Sequence, residues 1–169
     1  RVLVIEDSQF QREVFTNLLT ATSRLSGGML KFETEMCSGA EELHTLLRRK
    51  RDFHVVVVDV VMPDVNGDDL LPSLRATLGE HVAIVMASAY GQVSLVQRCI
   101  LRGADSFLTK PLQLQSISHL WQHCLAKNRL HFSSRRHTCS SATTSPAGSD
   151  SSFNSCSNSC RTTCGIDGG

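Results

Sequence analysis

The sequence has no long apolar run, no excess of one charge and no regular cysteine pattern. Its apolar runs, such as the four valines at residues 55–58, are too short to cross a bilayer. The first residues also lack the features of a secretory signal peptide. Seventeen Lys and Arg against sixteen Asp and Glu leave a net charge of +1, so no overall field would attract DNA or an acidic membrane. We therefore expect neither membrane insertion nor direct binding of nucleic acid.

The cysteines form no disulfide framework. There are 7 of them, an odd number, and Cys37, Cys99 and Cys124 stand singly in apolar segments, where buried free thiols are common. The others lie beyond residue 138 and lack the CxxC pair typical of zinc sites. This pattern indicates a reducing compartment. We expect an intracellular protein, in the cytoplasm or the nucleus.

A change of composition near residue 128 divides the chain. Residues 1–127 hold nearly all of the aliphatic side chains, whereas residues 128–169 contain eleven Ser and five Thr and very few large hydrophobic side chains. So little apolar surface cannot offset the conformational entropy that folding removes. We predict one folded domain at residues 1–127 and a disordered Ser/Thr/Cys-rich tail at residues 128–169.

Short apolar runs alternate with amphipathic segments in the first 127 residues. The runs predicted as strands cover residues 2–5, 31–36, 55–58, 82–86 and 106–108, and apolar residues at helical spacing follow each of them. Ser8 is expected to cap the first helix, Gly79 to end the third and Gly103 to end the fourth. This alternation predicts an α/β fold with a five-stranded, doubly wound parallel sheet.

Polar side chains stand at the ends of four predicted strands. Glu6 and Asp7 follow the first strand, Asp59 the third, Ser88 the fourth and Lys110 the fifth. Open parallel sheets bind ligands at the carboxyl ends of their strands, so these groups should meet at one edge. Three neighbouring carboxylates need a cation, and their oxygens suit Mg²⁺, with Mn²⁺ as the alternative. A metal beside a lysine and a hydroxyl suits a phosphoryl group, for which Asp59 is the best candidate nucleophile.

Four motifs carry a family resemblance: VLVIEDS at residues 2–8, VVVVDVVMPDVNG at 55–67, VMASAY at 85–90 and GADSFLTKP at 103–111. Together they resemble the receiver (CheY-like) domain of two-component response regulators over about residues 1–127. The resemblance implies a flavodoxin-like fold in which Asp59 is the phosphoacceptor. It also implies that Mg²⁺ is bound by Asp7, by Glu6 through water, by Asp59 and by the backbone carbonyl of Val61.

The same resemblance assigns a switch and partners. It implies that Ser88 is the switch hydroxyl, Phe107 the aromatic residue that turns inward with it, and Lys110 the lysine that pairs with the phosphoryl group, ahead of a cis bond to Pro111. Ala89 would leave room for the phosphoryl group. The donor would be a phosphohistidine of a histidine kinase or histidine phosphotransfer protein. Phosphorylation would remodel the face made by the fourth helix, fifth strand and fifth helix (residues 92–125) toward an output partner or a second copy.

The residue at position 61 bears on enzyme activity. In haloacid-dehalogenase-type phosphatases, another class with an aspartyl nucleophile, the residue two past the nucleophile is an Asp that acts as acid and base. Here that residue is Val61, and Tyr90 is expected to overhang the other side of the site. We therefore expect slow, partly self-catalysed dephosphorylation and no turnover enzyme. A P-loop and a dinucleotide fingerprint are both absent, which excludes NTPase and dehydrogenase functions.

Two features depart from the family pattern. Residues 22–30 make a longer connection than usual, which we interpret as a loop insertion and a candidate partner surface. Glu6 replaces the commoner Asp but keeps its charge. Two alternatives stay open: a receiver fragment of a larger hybrid histidine kinase or multidomain regulator, and a phosphate-independent pseudo-receiver that acts only as a binding module.

Overall fold

Five parallel strands and five helices alternate along the part of the chain that the structure, a computed structural model, describes: residues 1–120, 122–123 and 127. In chain order they are β1 (Val2–Ile5), α1 (Gln9–Leu25), β2 (Thr34–Cys37), α2 (Ala40–Arg49), β3 (Val55–Asp59), α3 (Gly67–Leu78), β4 (Ala83–Ser88), α4 (Val93–Leu101), β5 (Ser106–Thr109) and α5 (Leu114–Ser118). The strands pair in the order β2-β1-β3-β4-β5. The predicted doubly wound α/β fold is confirmed.

Side chains of the central strands are buried on both faces of the sheet. Odd and even positions of β1 and β3 point into two separate apolar clusters. One cluster lies between the sheet and helices α1 and α5, where Phe15 and Ile117 are almost fully buried. The other lies against α2, α3 and α4 and includes Leu43, Leu71 and Cys99. Burial on both faces explains why these strands are continuous apolar runs rather than alternating ones.

Three predicted helix ends agree with the structure. The Ser8 hydroxyl accepts a hydrogen bond from the Gln11 amide at 3.4 Å and so caps α1. Gly79 follows the last residue of α3 with φ +77°, and Gly103 follows α4 with φ +107°. Both conformations lie in the left-handed region that favours glycine.

Two predicted boundaries were wrong by three or more residues. Helix α1 continues to Leu25, so the first residues of the expected insertion at 22–30 are helical. The helix passes through Thr22, which is buried against the domain, and the Thr22 hydroxyl is satisfied there by donating to the Leu18 carbonyl at 2.9 Å. The second strand covers Thr34–Cys37 rather than residues 31–36, since its pairing with β1 begins at Thr34 opposite Val2.

The cysteines and the lengths of the helices can be compared with what the composition predicted. Cys37 and Cys99 are buried free thiols, as predicted. Among the described residues, no helix is both long and apolar enough for a membrane span. The predictions for Trp121, Cys124, Leu125 and the segment 128–169 lie outside the described residues.

Candidate functional site

The topology brings the polar ends of four strands together. Strands β1, β3, β4 and β5 are consecutive neighbours in a parallel sheet, so their carboxyl ends share one edge. Asp59 and Ser88 are the last residues of β3 and β4. Glu6 and Asp7 follow β1 directly, and Lys110 follows β5. The structure therefore collects at one edge the polar residues that the sequence predicted there.

Three carboxylates form the centre of this edge. One oxygen from each of Glu6, Asp7 and Asp59 lies within 4.8 Å of the other two. Glu6 and Asp59 are 6% and 7% exposed, and Asp7 is more exposed than either. Like charges held this close repel one another unless a cation lies between them. Oxygen donors at this spacing fit a hard divalent ion such as Mg²⁺, with the Val61 carbonyl nearby in the loop after Asp59.

Lys110 connects two of the three carboxylates. Its ammonium donates to Glu6 Oε2 at 2.6 Å and to Asp59 Oδ2 at 2.8 Å, and its side chain is only 12% exposed. The Lys110 amide also donates to the Ser88 carbonyl at 2.8 Å, and the peptide bond to Pro111 is cis. These contacts place one cation at the centre of the site.

Burial and pairing act in opposite directions on the titration of these groups. Burial opposes the charged form of Lys110, but its hydrogen bonds to Asp59 and Glu6 outweigh that effect and raise its pKa. Burial raises the pKa of Glu6 above its ordinary value, and the charge of Asp59 adds to the rise, while the Lys110 hydrogen bond reduces it. Lys110 is therefore held in its charged form by its hydrogen bonds to the two carboxylates.

Ser88 and Phe107 occupy neighbouring strands beside the carboxylates. Ser88 is fully buried, and its hydroxyl accepts a hydrogen bond from the Tyr90 amide at 3.1 Å. Phe107 lies opposite Met86 in the β4–β5 pairing and is half-buried against the apolar cluster on the α2–α4 face. Tyr90 is 57% exposed, and Val61, in the loop after Asp59, is 53% exposed.

Sequence reasoning missed two residues that shape the site. Arg12, in α1, donates through one nitrogen to the backbone carbonyls of Glu6 and Asp7. Gly67, the first residue of α3, packs so closely on Asp59 that an added Cβ would stand 1.8 Å from the Asp59 carbonyl oxygen. An arginine one turn into the helix after an acidic pair, and a glycine eight positions after the acceptor, were the signals available in the sequence.

A third missed residue connects the site's surroundings to α4. Asp68 is 3% exposed, and its carboxylate accepts from Arg98 at 2.7 Å and from Arg102 at 3.0 Å. Because Asp68 follows Gly67 directly, the start of α3 contacts Asp59 on one side and holds α4 on the other. A buried acidic residue at a helix start gave no sign of these partners in the sequence.

Known proteins share both the sequence pattern and the fold. The chain matches the family described as "Response regulator receiver domain" over residues 2–122. It is 31% identical over 128 residues to the two-component response regulator ARR11 of Arabidopsis thaliana, covering 75% of this chain and 23% of that protein. ARR14 of the same plant is 30% identical over 139 residues, covering 79% and 34%. The chain thus spans about a quarter to a third of the length of these relatives.

Solved structures agree with the fold. The receiver domain protein (CheY-like) from Methanospirillum hungatei JF-1 superposes with a TM-score of 0.64 at 18% identity, covering 77% of this chain and 97% of that one. The receiver domain protein from Clostridium thermocellum gives a TM-score of 0.64 at 23% identity, covering 76% and 97%. Because the family match covers residues 2–122 and the fold agrees with it, the chain belongs to the response regulator receiver domain family of two-component phosphorelay signalling.

Proposed function

We propose that Asp59 accepts a phosphoryl group from a phosphohistidine of a histidine kinase or histidine phosphotransfer protein, with Mg²⁺ at the site. The single observation that carries this proposal is the cluster of three carboxylates at the end of the central strand, two of which are bonded to Lys110. Glu6, Asp7, Asp59 and the Val61 carbonyl would hold the ion. Bound there, Mg²⁺ would neutralise charge on the phosphoryl oxygens.

The transfer uses a carboxylate oxygen of Asp59 as nucleophile. A P–O bond to Asp59 forms as the P–N bond of the phosphohistidine breaks, and the electron pair of the broken bond stays on the imidazole nitrogen, which then takes a proton from solvent. Lys110 already touches Asp59 at 2.8 Å, so its ammonium is within reach of an oxygen on the incoming group. A buried ammonium with a raised pKa remains charged through this step.

Phosphorylation is proposed to change the face formed by α4, β5 and α5. The Ser88 hydroxyl would leave its contact with the Tyr90 amide and bond to the phosphoryl group, and Phe107 would turn into the space beneath it. Such a change is a shift between two populations, biased by a local charge. The altered face would bind an output partner or a second copy of the chain.

We also propose that the chain is not a turnover enzyme. Val61 stands two residues past Asp59 and offers neither an acid nor a base to activate water. Hydrolysis of the acyl phosphate would therefore be slow and partly self-catalysed. The receiver would store the signal long enough for a partner to bind.

Intact-mass measurement after incubation with acetyl phosphate tests the assignment. The wild type should gain about 80 Da, one phosphoryl group, only when Mg²⁺ is present. Asp59→Asn should gain nothing, whereas Asp64→Asn, which removes an exposed carboxylate from the neighbouring loop, should behave as the wild type does. If the wild type neither gains mass nor binds Mg²⁺, the phosphate-independent binding module replaces this proposal.

A second candidate concerns the context of the domain. The match to about a quarter of the length of ARR11 and a third of that of ARR14 favours a receiver that works within a larger multidomain regulator or hybrid histidine kinase. Mapping the full-length transcript tests this. A reading frame that encodes an attached output or kinase domain would support it, and one that encodes the receiver alone would contradict it.

A further inference from the structure

The loop between β1 and α1 is held by an arginine outside the predicted site. Arg12 Nη1 donates to the carbonyl oxygen of Glu6 at 2.7 Å and to that of Asp7 at 2.8 Å. Arg12 is itself fixed in α1, because its amide donates to the Ser8 carbonyl at 3.0 Å. One guanidinium nitrogen thus joins the two successive peptide units that carry two of the three carboxylates.

The other contacts of this loop fix Glu6 better than Asp7. The Glu6 side chain is bonded to Lys110 at 2.6 Å and to the Ser8 amide at 3.3 Å. Within the described residues, the Asp7 carboxylate has no hydrogen bond or ion pair of its own. Its direction is therefore set by its backbone, and Arg12 is the side chain that holds that backbone.

We propose that Arg12 is a positioning residue for the metal site: it orients the Glu6–Asp7 loop and thereby sets the affinity for Mg²⁺. This inference rests on the proposed function, because it assumes that the carboxylates bind the ion. Without the guanidinium, the two carbonyls would bond to water and the loop would have to be ordered each time the ion binds. Loss of a partner that orients metal ligands typically costs about 10–100-fold in metal affinity.

The direction in which the Mg²⁺ affinity changes distinguishes a positioning role of Arg12 from a purely electrostatic one. A guanidinium near a cation site repels the ion, so if charge alone mattered, Arg12→Met would bind Mg²⁺ more tightly than the wild type. Positioning predicts the opposite, a weaker affinity. Arg12→Lys keeps the charge and a nitrogen donor but places the donor on a more flexible stem without the planar guanidinium, so it should recover part of the lost affinity.

Calorimetric titration of Mg²⁺ into the full chain measures this directly. We expect Arg12→Met to raise the Kd about 10–100-fold and Arg12→Lys to fall between it and the wild type. Arg24→Met, which removes an exposed arginine from the last turn of the same helix, should leave the Kd unchanged. Melting curves without Mg²⁺ would show that each variant is folded. If Arg12→Met does not fold, Arg12→Lys alone decides, with an unchanged Kd overturning the inference.

A rate measurement with acetyl phosphate gives the second readout. Because Arg12 touches neither the phosphoryl group nor Asp59 in this proposal, saturating Mg²⁺ should restore most of the rate in Arg12→Met, while subsaturating Mg²⁺ should not. An Arg12→Met Kd equal to or tighter than that of the wild type would overturn the inference and leave the proposed function intact. A wild type that binds no Mg²⁺ would instead remove the proposed function.

Discussion

Replacing Gly67 with alanine should destabilise the protein through one backbone contact. The new Cβ would stand 1.8 Å from the Asp59 carbonyl oxygen and 2.9 Å from both the Asp59 carbonyl carbon and Val58 Cγ1. A carbon and a carbonyl oxygen approach no closer than about 3.3 Å even in favourable contacts. The start of α3 would therefore have to retreat by about 1.5 Å, measured against that contact distance. Neither atom of the Asp59 carbonyl can rotate away, because both belong to the backbone of β3.

The loss of stability can be estimated from the interactions that this displacement of α3 removes. Overfilling a packed site costs about 1–3 kcal/mol, and losing the bond from the Gly67 amide to the Val60 carbonyl, 2.8 Å long, costs about 1–3 kcal/mol more. The lower backbone entropy of alanine in the unfolded chain returns at most about 1 kcal/mol. We expect Gly67→Ala to lower the free energy of unfolding by about 1–6 kcal/mol.

Urea unfolding followed by circular dichroism measures this change. Gly91→Ala is the matched control, since its Cβ would meet Thr109 at an ordinary 3.4 Å, and its stability should stay within about 1 kcal/mol of the wild type. Gly67→Ala should also slow phosphorylation by acetyl phosphate, because the displaced backbone carries Asp59. A Gly67→Ala variant less than about 1 kcal/mol below the wild type would refute the reasoning.

Three further predictions concern buried polar and thiol groups. Asp68→Asn should destabilise the protein by about 2 kcal/mol in urea unfolding, because it weakens the charge-assisted hydrogen bonds that the buried carboxylate accepts from two arginines. Arg98→Met should lower the free energy of unfolding by less than about 1 kcal/mol, since Arg98 is 56% exposed. An equal loss of stability in Asp68→Asn and Arg98→Met would contradict this. Burial alone would raise the pKa of Asp105, but hydrogen bonds from two basic side chains and the Ile84 amide outweigh it and hold that pKa below 3.8. Asp105 thus stabilises the fold above its ordinary pKa and loses that contribution as pH falls below it, so Asp105→Asn should flatten the acid decline in unfolding free energy. Burial raises the pKa of Cys37 to about 12, so peptide mapping should find Cys37 alkylated at pH 8 only after unfolding.

The central sheet could be predicted because its physical signature is local. The run at residues 55–58 is apolar at every position, since both faces of β3 are buried, and Asp59 ends it at the edge of the sheet where the site lies. The positions of Glu6, Asp59 and Lys110 followed from chain order and from the rule that parallel strands share one edge. No contact between distant residues had to be known in advance.

The missed residues act through contacts that only the folded chain reveals. Arg12 has the pattern of an ordinary helical arginine, and its bonds to two carbonyls depend on how the preceding loop curls. Asp68 has the pattern of a favourable acidic residue at a helix start, and its burial depends on α4 packing over it. The end of α1 was misplaced for a related reason. Thr22 has a poor helical propensity, but tertiary burial outweighs that preference.

Two separate connections join Asp59 to α4. One runs through α3: the backbone of Asp59 contacts Gly67, and the next residue, Asp68, accepts hydrogen bonds from Arg98 of α4 and from Arg102, the C-cap of that helix. The other runs through the sheet: Asp59 lies opposite Ala87 in the β3–β4 pairing, β4 pairs with β5, and β5 packs against α4. Asp68 has no contact with Ser88 or Lys110 among the hydrogen bonds of the described residues. Substitutions at Asp68 and at Ser88 therefore disturb different connections. If the two connections are independent, the effect of the double substitution on the α4 face should equal the sum of the two single effects.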